Sequence, residues 1–459
     1  MSDLEPGYYE VVTCISEDSE VRATDRTSFA VVEDTEFTDN KDTSMFGINT
    51  HISAGYFRNT TDLLADEVYK LGVKNVRDHY AWSRLSKEED VITFTDTDKA
   101  FIEELKKYDI GALMASGFNN SVYMEEGVKV PLTKKAIDGF ANYAKAVVDT
   151  FAESQYPLSD LEIWNEYWSW DKSSNSAQNY AGLFDAVYDK VHSEYPSLNL
   201  TVGFNSEAEA YNYWNDTVIK SGNVKERIGL ATVHAYGGLN LWESSETRPE
   251  VLGKIEGSMD DLSSVLGDNG LEKLDIRLTE TGYSSLPIDA DGNTVYSETN
   301  GSLSSKYCVT EKEAAMYLPR CVLLGLSKGA KSVYPYQLTD GSYNISNHES
   351  FFGLLRGDGT VCGLYSPKPQ YVSYAALIRA LDGTKFASLE IDGDCYSYSF
   401  IGENKVVTAV YSIGDEMVYE YYTNKSVQVT DIMGKTKTLN PTDGKVELTL
   451  TGNVLYITE

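Results

Sequence analysis

Cysteine is scarce: Cys14, Cys308, Cys321, Cys362 and Cys395 are the five in 459 residues. They are odd in number, scattered and without C-x-x-C spacing. That excludes a disulfide framework or a zinc ribbon, and isolated thiols, mostly buried as small hydrophobes, are expected. Long apolar runs are missing, which excludes a membrane-spanning helix. Positive charge is in short supply, with 39 Lys and Arg against 70 Asp and Glu, a net charge of −31. Such a field repels phosphate backbones, so nucleic acid is not an expected partner. It suits a protein that meets neutral molecules in the open. Met1-Ser2-Asp3-Leu4-Glu5 lacks the basic start and apolar core of a signal peptide. The expectation is an extracellular or cell-surface protein whose leader is not part of this chain, and a longer multidomain chain of which this is a piece.

A chain of 459 residues exceeds one ordinary core, so a barrel plus a smaller unit, or two to three domains, is expected. Tyrosine is abundant, 33 residues, and reads first as strand packing and second as the wall of a cleft. At the start, Tyr8 to Ile15 and Thr27 to Val32 are strand-like, with a polar stretch from Ser16 to Asp25 between them. Residues 1–44 therefore read as a short N-terminal β-strand extension, in the manner of a truncated β-sandwich.

From residue 45 to 383 short apolar runs alternate with helical patterns. The runs are Phe46 to Ile48, Val73 to Val76, Gly111 to Met114, Leu161 to Trp164, Leu200 to Gly203, Ile228 to Val233, Asp275 to Leu278 and Ser332 to Tyr334. Helical spacing marks Thr60 to Leu71, Asp98 to Tyr108, Ala136 to Phe151, Ala177 to Tyr195 and Gln370 to Leu381. Thr247 with Glu250, and Thr310 with Glu313, have capping-box spacing. Eight strands, each followed by a helical connection, predict an α/β fold, a (β/α)8 TIM barrel. An open doubly wound sheet is the alternative, but its nucleotide-binding form needs a Gly-rich turn after the first strand, and none is there. Residues 384–459 carry alternating segments: Cys395 to Phe400, Lys405 to Tyr411, Met417 to Tyr422, Val427 to Ile432, Val446 to Leu450 and Val454 to Ile457. They predict a C-terminal β-sandwich domain that braces the barrel.

A barrel of this kind keeps its site at the C-terminal ends of its strands. Strand four ends in Trp164-Asn165-Glu166, and strand seven in Thr279-Glu280. Strand six ends in His234-Ala235-Tyr236 and strand two in Arg77-Asp78-His79. Two glutamates on opposite sides of the mouth face each other, the arrangement that glycoside hydrolysis uses. One must be protonated, and burial beside a second negative charge is expected to raise the pKa of the acid. Arg77 and the Tyr236 hydroxyl are candidates to hold Glu280 as a carboxylate. Asn165 is placed to bind a sugar 2-hydroxyl.

These motifs resemble clan A of the retaining glycoside hydrolases, most closely families 39 and 5. The resemblance rests on W-N-E, H-x-Y and T-E at the ends of strands four, six and seven. V-Y-P-Y-Q-L-T-D, F-F-G-L-L-R-G-D-G-T and S-P-K-P-Q-Y-V-S-Y-A-A-L-I-R-A-L extend it, so that it spans roughly Phe46 to Glu459. It implies that Glu166 is the acid/base and Glu280 the nucleophile, with Asn165, His234, Tyr236 and Arg77 around the sugar. It also implies a carbohydrate substrate and no cofactor. Two positions depart from the clan: Tyr167 stands where Pro commonly follows the acid, and Pro335 stands about where a Trp floors the reacting sugar. Tyr336 is the residue that could replace that floor. A retaining β-glycosidase is the expected activity. A barrel that only binds glycan on a larger surface protein, or a transglycosylase, are the alternatives.

Trp168, Trp170, Trp214 and Trp242 fall in loops after strands four to six and read either as packing or as sugar-stacking subsites, with Trp168 taken as a substrate contact. His79 reads as paired to a backbone group. Asp289 to Asn293 has some likeness to a calcium loop but lacks the Glu at the twelfth position, so no metal is expected. The loop Ser284 to Tyr307 is long enough to shape a site. Asn-x-Ser/Thr triplets such as Asn215-Asp216-Thr217 are no more frequent than chance allows in a polar chain.

Overall fold

Eight short strands pair in parallel, in chain order: Gly47–Asn49, Asn75–Asp78, Gly111–Ser116, Asp160–Ile163, Asn199–Phe204, Leu230–His234, Ile276–Thr281 and Ala330–Pro335. They are called strands one to eight below. The structure, a computed structural model, describes residues 4–18, 20–54, 60–206, 210–237, 246–295 and 308–459. Phe46 bridges Val333 in parallel, and the Val333 amide donates to the Met45 carbonyl at 3.0 Å. Strand eight thus meets strand one and the barrel closes. The closure is tight at Gly47, where a Cβ would lie 2.2 Å from the Tyr334 ring. A long helix follows every strand: Thr61–Leu71, Asp96–Tyr108, Lys134–Glu153, Ser176–Val191, Ala210–Lys220, Lys254–Asp268, Glu311–Ser327 and Pro369–Leu381. The fold is the (β/α)8 barrel that the alternation predicts.

Strand side chains alternate between two faces. In strand four, Leu161 and Ile163 pack outward under the helices, and Glu162 between them is buried inside the barrel. The helices turn apolar faces to the sheet, as Phe101, Ile102 and Leu105 do in Asp96–Tyr108. The Thr310–Glu313 capping box is present: the Thr310 hydroxyl accepts from the Glu313 amide at 3.2 Å, and the Glu313 carboxylate from the Thr310 amide at 2.8 Å. The Thr247–Glu250 spacing forms no such box. Thr247 bonds the Tyr317 hydroxyl, and Glu250 turns inward to Arg320, a stronger partner for a buried carboxylate.

After the closing helix come eight antiparallel strands. Six form one sheet, and Met417–Tyr422 pairs with Lys445–Leu450 as a ribbon facing it. Val410, Val427, Leu448, Leu450 and Ile457 fill the space between. The other face of the larger sheet, with Tyr398, Phe400, Tyr411 and Tyr456, joins the same buried cluster as the barrel helices. Across that contact the Tyr411 hydroxyl donates to Glu250 at 2.8 Å, and on the barrel side the Arg320 Nε donates to the same carboxylate at 2.7 Å.

The N-terminal strands Gly7–Glu17 and Glu20–Val31 form a hairpin longer than predicted, since the polar stretch after Ile15 is paired too. It touches the barrel at the connection after strand eight: Ser28 Oγ donates to the Pro367 carbonyl at 2.7 Å, and Arg356 Nη1 donates to that Ser28 oxygen at 2.8 Å. Four of the five cysteines are buried and unbridged. No helix among the described residues is long and apolar enough to cross a membrane.

Candidate active site

Strand four ends in a sharp turn. Trp164 (φ 63°) and Glu166 (φ 49°) both adopt left-handed backbone, which costs a non-glycine residue about 1–2 kcal/mol. Trp164 is held there by burial against Phe140 and Tyr167. The turn lifts Glu166 over the barrel mouth at the start of the one-turn helix Tyr167–Trp170. Glu280 rises from strand seven. Carboxylate oxygens of Glu166 and Glu280 and a ring nitrogen of His234 all lie within 4.8 Å of one another.

Arg77 organises the floor. Its Nη1 donates to Glu280 at 2.7 Å and to Asn49 Oδ1 at 3.0 Å. Its Nη2 donates to Glu162 at 2.6 Å and to Asn165 Oδ1 at 2.7 Å. The Tyr236 hydroxyl donates to the second oxygen of Glu280 at 2.5 Å. Burial and the Glu280 charge keep that phenol protonated, far above its ordinary value. Arg77, Asn165, Glu166, Tyr236 and Glu280 therefore line one cavity, and His234 stands behind them, buried against both glutamates.

His234 Nδ1 sits 2.9 Å from Glu166 and 3.5 Å from Glu280. Burial would push its pKa down, but the Glu280 charge and the bond to Glu166 outweigh burial, and it rises above 6.5. Burial likewise pushes Glu166 up, but the bond from His234, with the charges of His234, Arg77 and Lys172, holds it below 4.5. This corrects the expectation of a raised acid: at rest the shared proton favours the imidazole. Glu166, His234 and Glu280 are also the one group of donors among the described residues close enough for a metal ion. The Arg77 guanidinium on Glu280 and the proton on His234 oppose a cation there.

The cavity over these groups measures about 240 Å³. Tyr336 lines it, its ring edge-on to Tyr236 at 6.3 Å and to His51 at 5.5 Å. Gly282 (φ 145°) lets Tyr336 sit there, since a Cβ would lie 2.9 Å from the Tyr336 carbonyl oxygen. His79 lines the cavity too. Its partner is the His51 ring, with Nδ1 atoms 3.4 Å apart, and not the backbone group expected. Burial pushes His51 down to about 4, against the pull of Glu280, and drives His79 well below its usual value, so both rings are neutral.

Trp168 stands elsewhere. It is buried edge-on against Trp214 at 5.7 Å and does not line the cavity, because the one-turn helix carries its indole under the loop. Trp170 is exposed and leans on Phe118 at the rim. Trp242, and the 284–307 loop beyond Val295, lie outside the described residues. The Asp289 carboxylate accepts from the amides of Asp291 and Asn293, which closes the turn. Asn49, His51, Glu162, Phe118 and Glu349 were missed by sequence reasoning. Glu162 had a signal, a charge inside an otherwise apolar parallel strand.

No family model matches the chain, and no curated protein sequence matches it. Solved structures do. The chain is similar to a family 39 glycoside hydrolase from the gut symbiont Bacteroides cellulosilyticus WH2, with TM-score 0.75 and 19% identity over 99% of this chain and 88% of that one. It is similar to a family 30 endoxylanase from Clostridium papyrosolvens C71, with TM-score 0.58 and 11% identity over 92% and 97%. A family 51 α-L-arabinofuranosidase from Bifidobacterium longum gives TM-score 0.57 and 13% identity over 92% and 96%. These likenesses show a shared fold, a (β/α)8 barrel with a β-sandwich. Family 39, one of the two families the motifs resemble, is among these neighbours.

Proposed function

We infer that the protein is a retaining β-glycoside hydrolase. The observation that carries this is the pair of carboxylates whose oxygens approach within 4.8 Å across a cavity at the ends of strands four and seven. Double displacement needs carboxyls about 5–5.5 Å apart, whereas inversion needs about 6.5–9.5 Å to admit a water. Glu280 attacks the anomeric carbon as the carboxylate that Arg77 and Tyr236 keep oriented, and forms a glycosyl ester. Glu166 delivers its proton to the leaving oxygen, then takes one from the water that cleaves the ester. His234, hydrogen-bonded to Glu166, holds that proton between turnovers. Asn165 has its amide oxygen committed to Arg77, which leaves the amide nitrogen for the sugar 2-hydroxyl. Tyr336 serves as the floor in place of an indole.

A panel of nitrophenyl β-glycosides (xyloside, glucoside, galactoside, mannoside and fucoside), with Glu280→Gln as control, tests this reading. Release from one of them that vanishes in the variant is expected. A variant that kept most of the activity would remove Glu280 as the nucleophile. A site outside the cell or on its surface belongs to the same proposal, since a net charge of −31 and a glycan substrate suit it. Finding the protein only in the cytosolic fraction of the cells that make it would refute that part.

A further inference from the structure

The 240 Å³ cavity between the glutamates does not end blindly. Five of its lining residues, His51, His79, Phe118, Tyr336 and Glu349, also line a second cavity of about 1010 Å³, roughly four times larger. The two are one continuous cleft, a narrow end over the carboxylates and a wide groove beyond.

The direction of the groove carries chemical meaning. Its walls come from the segments after strands one, two, three and eight: His51 and Ala54, His79 to Ser83, Phe118 and Asn119, and Gln337 to Ser350. Glu166, which follows strand four, does not line it. In a closed eight-stranded barrel strand four lies opposite strand eight. The acid must stand on the side of the departing group, because it protonates the leaving oxygen. The groove therefore runs away from the leaving group. It holds what lies beyond the reacting ring on the non-reducing side.

The walls also define the occupant. Ser83, Asn119, Ser342 and Asn344 offer hydroxyl and amide groups, and Phe118, Tyr336 and Tyr365 offer ring faces. Among the described residues no lysine or arginine lines the groove, while the exposed carboxylates of Glu349 and Asp358 do. A polyuronate or sulfated chain would meet repulsion and no counter-charge. A neutral glycan finds hydrogen bonds and stacking surfaces.

We propose that this groove is a set of glycone-side subsites for a neutral oligosaccharide, so that the protein cuts faster behind two or more bound rings than behind a single sugar. The proposal rests on the glycosidase reading and narrows its substrate. Nitrophenyl β-glycosides of one, two and three rings, in the β-1,4-linked xylose, glucose and mannose series, isolate the effect, because the leaving group is constant. In the series that is cut, kcat/KM is expected to rise at least about tenfold from one ring to two, equal to about 1.4 kcal/mol of added binding to the transition state. A terminal uronate on the second ring should cancel that gain. Calorimetric titration of Glu280→Gln with free oligosaccharides of the same series should show Kd falling as rings are added. Release from the one-ring glycoside with no gain at two or three rings would overturn the groove assignment and leave the glycosidase reading standing. No release at any length would overturn the glycosidase reading, and this inference with it.

Discussion

Replacing His234 with glutamine tests how the site stores its proton. His234 and Glu166 share a hydrogen bond of 2.9 Å, and their pKa values move apart, His234 above 6.5 and Glu166 below 4.5. Between those values the pair carries one proton, and glycosylation needs that proton. Its loss at high pH sets the basic limb of kcat/KM, which in the unaltered protein should lie above pH 6.5. Glutamine keeps a donor but cannot carry the proton, so the limb must fall back to Glu166 alone. A charge-assisted hydrogen bond contributes about 1.5–3 kcal/mol, and one pH unit corresponds to about 1.36 kcal/mol. The Glu166 side chain is 35% exposed, and screening by water favours the lower figure. The basic limb should therefore move acidward by at least about one pH unit. The assay is kcat/KM against pH for both proteins on one aryl glycoside. A limb that stays put, or moves to higher pH, would refute the shared-proton account.

Glu166→Ala should lose far more activity on a phenyl glycoside than on a dinitrophenyl glycoside, because only the poor leaving group needs a proton; equal losses would remove Glu166 as the acid. The pair should also shape stability. The Glu166 contribution is present above pH 4.5 and is lost as pH falls through its lowered folded value, while that of His234 is present below 6.5 and is lost as pH rises through its raised one. The difference in Tm between the unaltered protein and His234→Gln should thus peak between those pH values, and a difference independent of pH would contradict this. Arg320→Met strands Glu250 in the contact between barrel and sandwich and should cost about 3–5 kcal/mol in urea unfolding, with Arg320→Met/Glu250→Leu recovering most of it; an unchanged midpoint would mean that the contact does not brace the barrel. Trp168→Ala should lower stability by about 3–5 kcal/mol and leave KM unchanged, as befits packing against Trp214; a raised KM with an unchanged Tm would return Trp168 to the cleft.

The barrel was readable because its strands are buried on both faces and appear as largely apolar runs such as Gly111 to Met114. Two sandwich strands escaped notice. Thr384–Asp392 is mostly exposed, and Thr436–Leu439 reads Thr-Lys-Thr-Leu, so neither shows the alternation of a half-buried strand. The carboxylates were readable because strand ends locate a barrel site before any contact is known. Their proton affinities were not. Glu166 was expected to be raised, as burial alone would make it, and the bond from His234 Nδ1, with the charges of His234, Arg77 and Lys172, reverses the sign. Position along the chain also misled at Trp168, two residues from the acid, where a one-turn helix directs the indole away from the cavity. Arg77 illustrates the opposite case. Its charge inside Asn75–Asp78 marks an inward polar site, and four acceptors meet it there.

The central claim is double displacement through Glu280. Proton NMR of the first-formed sugar, recorded before mutarotation on whichever β-glycoside the panel identifies, tests it most directly. The account predicts that the β-anomer appears first and the α-anomer only as equilibrium is reached. An α-anomer formed first would mean inversion, and would contradict the roles assigned to Glu166 and Glu280 together.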